Sequence, residues 1–115
     1  MNYLIIKESN KKESNMSEQL RKDSFEPFIN DIFEVITDNG TVEVELYQVS
    51  EQNNEHMDCF SVLFKAPKDQ LFIQKIYKVK HAKMGEIELF LVPVVYMKQD
   101  GIYYESVFNR LKDIQ

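Results

Sequence analysis

The chain reads as an all-β domain: a small six-stranded antiparallel meander closing into a barrel, with one short N-terminal helical turn and a polar tail over residues 1–24. Three observations predict it. Apolar side chains recur at every second residue in successive short runs, Asn39-Gly40 and Asp100-Gly101 punctuate those runs, and one pair of runs matches charge against charge and apolar against apolar. A two-layer sandwich shares that strand count and alternation, so both closures stay open at this level.

Residues 7–24 are dominated by Lys, Glu, Ser, Asn and Gln, with Met16 and Leu20 their only large apolar members, so burial would not offset the entropy of ordering them. Tyr3 to Ile6 could still add to a sheet edge as a strand. The single β domain is read from Phe25 to Gln115. Ser24-Phe25-Glu26-Pro27 is a helix entry, because a polar cap and an early Pro suit a first turn whose amides lack partners anyway.

From Ile32 the period becomes two. Phe33, Val35 and Thr37 alternate with Glu34, Ile36 and Asp38, and Asn39-Gly40 supplies both central residues of a type I′ turn. That turn sets Val35 opposite Val44, Phe33 opposite Leu46 and Glu34 opposite Glu45. An acidic patch of Glu34, Glu43 and Glu45 results, with a like-charge opposition that is unfavourable unless a cation lies nearby.

Cys59 to Ala66 is the third strand, ended by Pro67. Gln74 to His81 and Glu86 to Val95 form the best-specified hairpin: the register pairing Lys80 with Glu86 also pairs Lys78 with Glu88, Val79 with Ile87 and Tyr77 with Leu89. Pro93 has no amide to donate and predicts an edge, bulge or barrel corner. Ile102 to Phe108 is the last strand.

With 115 residues, 43% hydrophobic and 29% charged, the composition excludes collagen-like, low-complexity and wholly disordered classes. One cysteine, Cys59, excludes an internal disulfide framework. Neither a signal-peptide core of about 7 to 15 apolar residues nor a spanning run of roughly 20 is visible, so the expected location is cytoplasmic, without membrane contact. Net charge is −5, an unfavourable balance for nucleic acid. Charge is nonetheless sorted: Glu26 to Asp58 contains no Lys or Arg, while Lys65, Lys68, Lys75, Lys78, Lys80 and Lys83 follow with Asp69 as their one acid. Lysines neutralising glutamates on neighbouring strands account for this, and a two-pole surface that steers a partner is the alternative.

His56, Asp58, Cys59 and His81 lack zinc-ligand spacing, and nothing supplies an oxyanion hole or an orienting third group for a Cys59–His81 pair. The three glycines sit in turns and cradle no phosphate. The sequence therefore predicts no catalytic residue, no metal ligand set and no cofactor. Candidate ligand or partner contacts are Tyr77, His81 and Tyr104, which would line the pocket of a ligand-binding barrel, and Phe90, on the strand from Ile87 to Val95 that is apolar on both faces. Either the tail or the helical turn covers its outer face, or that face binds protein.

Phe25-Glu26-Pro27, Phe33-Glu34-Val35, Ser61-Val62-Leu63-Phe64 with Pro67, Tyr77 with His81, Gly85 to Pro93 and Tyr104 to Asn109 together resemble a family of small bacterial domains of unknown function. The resemblance runs from Phe25 to Asn109. It implies a compact β fold and a bacterial source, carries no activity, and draws attention to His81, whose plain role is a hydrogen bond closing the hairpin before Glu86. The expected function is a non-enzymatic protein-interaction or accessory module, its partner another protein or a second copy. A small-ligand-binding barrel and a structural component of a phage-tail-like or surface assembly are the alternatives.

Overall fold

A computed structural model of the chain describes residues 20–94 and 100–111. The proposed edge strand at Tyr3 to Ile6 and the end of the fifth strand at Val95 lie outside them. Helix α1 (Lys22–Phe25) runs into a 3-10 turn over Glu26–Phe28, and six strands follow: β1 (Ile32–Thr37), β2 (Gly40–Glu51), β3 (Met57–Ala66), β4 (Lys75–His81), β5 (Gly85–Val94) and β6 (Ile102–Leu111).

All six strands are antiparallel to their neighbours and close into a barrel, but not in simple meander order. Around the barrel they run β1-β2-β3-β6-β5-β4, with β4 returning to β1. Two three-strand meanders thus face each other, and the connection from β3 to β4 crosses the end of the barrel. The cross-strand charges suit this order. Lys80 stands beside Glu34, Lys65 beside Glu45 and Lys78 beside Glu88, so the acidic and basic blocks of the sequence meet across strand boundaries.

The β4–β5 hairpin has the register read from its charges: Lys80↔Glu86, Lys78↔Glu88, Val79↔Ile87 and Tyr77↔Leu89. The first hairpin differs by two residues. Phe33 faces Val44, Val35 faces Val42, and Glu34 faces Glu43 rather than Glu45. The reason is local. Thr37 Oγ1 donates to the Gly40 carbonyl at 2.7 Å and accepts the Asn39 amide at 3.2 Å, which closes the turn around Asp38-Asn39. Gly40 alone takes the positive φ, at 126°, instead of sharing it with Asn39 as a type I′ turn requires. A two-residue shift leaves every side chain on its expected face. The like-charge opposition persists as Glu34 against Glu43, with Lys80 on the other side of Glu34 to offset it.

Inward side chains from every strand, among them Phe33, Val44, Leu46, Val62, Phe64, Val79, Leu89 and Tyr104, form one continuous core. β2 carries a bulge between Leu46 and Gln48, which bends this twelve-residue strand around the barrel. β5 changes partner along its length, pairing with β4 from Gly85 to Leu91 and with β6 from Val92 to Val94. Pro93 therefore stands past the end of the β4 ladder, where its missing amide removes no bond on that side.

The helical segment plugs the end of the barrel opposite the β3–β4 crossing. Ser24 lies inside α1 rather than ahead of it, its hydroxyl reaching back to accept the Arg21 amide at 3.0 Å. Phe25 is fully buried against Phe60 and Phe108, whose rings stack at 4.5 Å. Leu20 is 4% exposed within the core, and Arg110 Nη2 donates to its carbonyl at 3.2 Å, so packing begins ahead of the Phe25 boundary read from the sequence. The plug covers an end, not the outer face of β5. Phe90 on that face is 46% exposed, opposite Ile76.

Candidate functional site

The crossing from β3 to β4 leaves the barrel at Pro67 and re-enters at Lys75. A segment without ladder bonds needs other partners for its backbone, and two tyrosines supply them. The Tyr104 hydroxyl, on β6, donates to the Gln70 carbonyl and accepts the Phe72 amide, each at 2.9 Å. The Tyr77 hydroxyl, on β4, donates to the Ile73 carbonyl at 2.6 Å. Phe72 then fills the space between the two rings, stacked flat on Tyr104 at 3.9 Å and edge-on to Tyr77 at 4.8 Å. Burial raises both phenol pKa values above the ordinary range; the negative charge of Asp38 adds to the rise at Tyr77, and the Phe72 amide partly opposes it at Tyr104. Both therefore remain donors near neutral pH.

With Phe72 turned inward, its neighbours Leu71 and Ile73 are turned out. Each is 73% exposed. They line a groove of about 570 Å³ at the barrel mouth together with Val42, Tyr77, Pro93 and the β1–β2 turn at Asp38-Asn39. Lys75 lies at the rim, its ammonium 3.7 Å from Asp38 and 5.5 Å from the centre of the Tyr77 ring. The lining is mostly apolar, with a cation and an anion side by side at the edge.

Of the four contact residues read from the sequence, the fold brings Tyr77 and Tyr104 together through Phe72. Tyr77 lines the groove, while Tyr104 supports it from below. His81 is elsewhere, at the far end of β4. Its Nδ1 accepts the Lys83 and Met84 amides, each at 3.1 Å, which ties down the turn into β5. Because Nδ1 accepts, the ring proton sits on Nε2 and points at Asp31 Oδ2, 2.9 Å away. The imidazole also stacks on Phe33 at 4.4 Å and lies 4.6 Å from Phe28. Both ring nitrogens thus hold the protein's own groups. Phe90 faces outward with Ile76, away from the groove. Glu34 and Glu43 stand together on the outer surface, and Glu45 is two positions on, beside Lys65.

Leu71, Phe72 and Ile73, which build the groove, are not among those candidates. Their signal in the sequence is an apolar triplet in an otherwise polar connector between Pro67 and Lys75, a pattern that fits a short strand equally well. Among the described residues no group of three or more His, Cys, Asp and Glu stands close enough to hold a metal ion, and no helix is long and apolar enough to cross a membrane.

Residues 20–108 match the family described as a domain of unknown function, DUF6916. The chain belongs to that family. The matched span begins at the buried Leu20 and ends at Phe108, so the DUF6916 domain takes in the helical plug, all of β1 to β5 and most of β6. Comparison with curated proteins and with solved structures finds no match.

Proposed function

We propose that the domain is a non-enzymatic protein-interaction module that takes its partner at the barrel mouth. One observation carries this reading: two large aliphatic side chains, Leu71 and Ile73, are left in water on a backbone held by tyrosine hydrogen bonds. A mobile loop could fold such side chains away, whereas this one keeps them presented. Covering them would contribute on the order of 3 kcal/mol, given about 1.5 to 3 kcal/mol for a fully buried aliphatic side chain. Their arrangement beside an apolar groove with a charged rim matches the core-and-rim pattern of protein interfaces.

The ligand-barrel alternative is less well supported, because Tyr77, His81 and Tyr104 direct their polar atoms at the protein itself. Affinity capture with the wild-type chain and with a Leu71→Glu, Ile73→Glu double variant as baits tests the proposal. Both side chains are exposed, so the variant is expected to fold, which circular dichroism verifies. The wild-type bait is expected to retain a partner that the variant loses. The proposal fails if both baits retain the same proteins, or if neither retains any and the wild-type chain also does not associate with itself.

A further inference from the structure

The mouth carries a ridge and a hollow on one face, and charges of both signs. Leu71 and Ile73 stand up as the ridge, and Val42 and Pro93 line the hollow beside it. Asp38, its side chain 92% exposed on the β1–β2 turn, and Lys75, 45% exposed at the start of β4, complete the rim. A face that contains its own complement is what a two-fold contact between identical chains requires, since each patch must meet itself rotated.

We propose that the occupant of the mouth is a second copy of this chain. In this two-fold dimer each ridge lies in the other chain's hollow and each Lys75 meets the other chain's Asp38. The proposal rests on the mouth being the docking surface and adds what docks there. Charge balance favours it. The whole chain has a net charge of −5, so two copies repel wherever acidic surface meets acidic surface, yet among the described residues the charged side chains that line the mouth, Lys75 and Asp38, cancel within each copy. The Asp38–Lys75 pair is also loose at 3.7 Å and largely solvated, so exchanging it for two pairs across the interface gives up little.

Reciprocal charge reversal in the full chain, read by sedimentation velocity from about 1 to about 300 µM, tests this, a range chosen to cover micromolar dissociation constants. The wild-type chain is expected to rise from one toward two chain masses with concentration. Asp38→Lys alone sets two ammonium groups against each other across the interface, and Lys75→Asp alone sets two carboxylates together. Each is expected to weaken the dimer by about tenfold or more. An equimolar mixture restores both pairs with opposite signs and is expected to recover wild-type association, while Leu71→Glu abolishes association in every combination. A wild-type chain that stays monomeric throughout, or a mixture no tighter than the single variants, overturns the proposal. A monomer whose captured partner still depends on Leu71 and Ile73 overturns only the identity of the occupant. A dimer indifferent to Leu71→Glu, with capture also indifferent, removes the docking surface itself.

Discussion

Tyr104→Phe removes one oxygen atom and leaves the stacked ring in place, so it isolates the hydrogen bonds that hold the β3–β4 crossing. Two bonds are lost, one to the Gln70 carbonyl and one from the Phe72 amide. Each has a net worth of about 0.5 to 1.5 kcal/mol, and the half-buried Phe72 amide resists resolvation, so the variant should lose about 2 kcal/mol of unfolding free energy. For a domain of this size that corresponds to roughly 10 °C in Tm. Tyr77→Phe deletes one bond, to Ile73, and should lose about half as much, near 1 kcal/mol. Urea denaturation followed by fluorescence gives both values. Amide hydrogen exchange locates them, with Phe72 expected to lose protection in Tyr104→Phe well beyond the global change. A loss below about 0.5 kcal/mol with Phe72 exchange unaltered would refute the claim that Tyr104 fixes the loop.

Three further outcomes follow from the geometry. His81→Ala deletes a ring that serves Asp31, two turn amides and two aromatic neighbours, and should destabilise the chain by about 3 kcal/mol in urea; a change under about 1 kcal/mol would contradict that role. A Cβ on Gly101 would lie 2.5 Å from the Ala66 carbonyl oxygen, so Gly101→Ala should lower stability by about 1 to 3 kcal/mol, whereas a neutral result would mean that β3 and β6 are not so close there. The Lys65 ammonium, and after it the Tyr103 hydroxyl, hold the Asp100 carboxyl at about 2, below its ordinary 3.8. Its folded value being the lower one, the stabilisation is complete above the ordinary value and is lost as pH falls toward 2. Asp100→Asn should therefore flatten the denaturation midpoint across that window, and parallel wild-type and variant curves would exclude the contact.

The β4–β5 hairpin was readable because two independent patterns agreed on one register. Shifting it by two would keep apolar residues facing inward but would separate Lys80 from Glu86, so charge resolved what alternation left open. The β1–β2 hairpin had no such second pattern. Its only charged opposition is Glu against Glu in either register, and the assumed turn type decided the pairing, two residues away from the one Thr37 enforces. Strand order was harder, because β3–β6 and β1–β4 contacts join distant segments and no turn residue announces them. The pairs Glu34–Lys80 and Glu45–Lys65 carry that information, but a lysine block following an acidic block is compatible with several orders. In the site, the inward alternation of β4 marked Tyr77 and His81 alike. Their polar tips diverge because one lies beneath the crossing loop and the other beside Asp31, a difference made by tertiary structure alone.

The mouth exists because strands β4 and β6 are brought beneath one loop by the order β1-β2-β3-β6-β5-β4. Two-dimensional NMR of the full chain tests that arrangement most directly. Expected are cross-peaks from the Phe72 ring to both the Tyr77 and Tyr104 rings, together with backbone contacts between Val35 and Val79 and between Phe60 and Phe108. Backbone contacts joining β3 directly to β4, with Phe72 touching neither tyrosine, would contradict it and remove the groove along with the ridge.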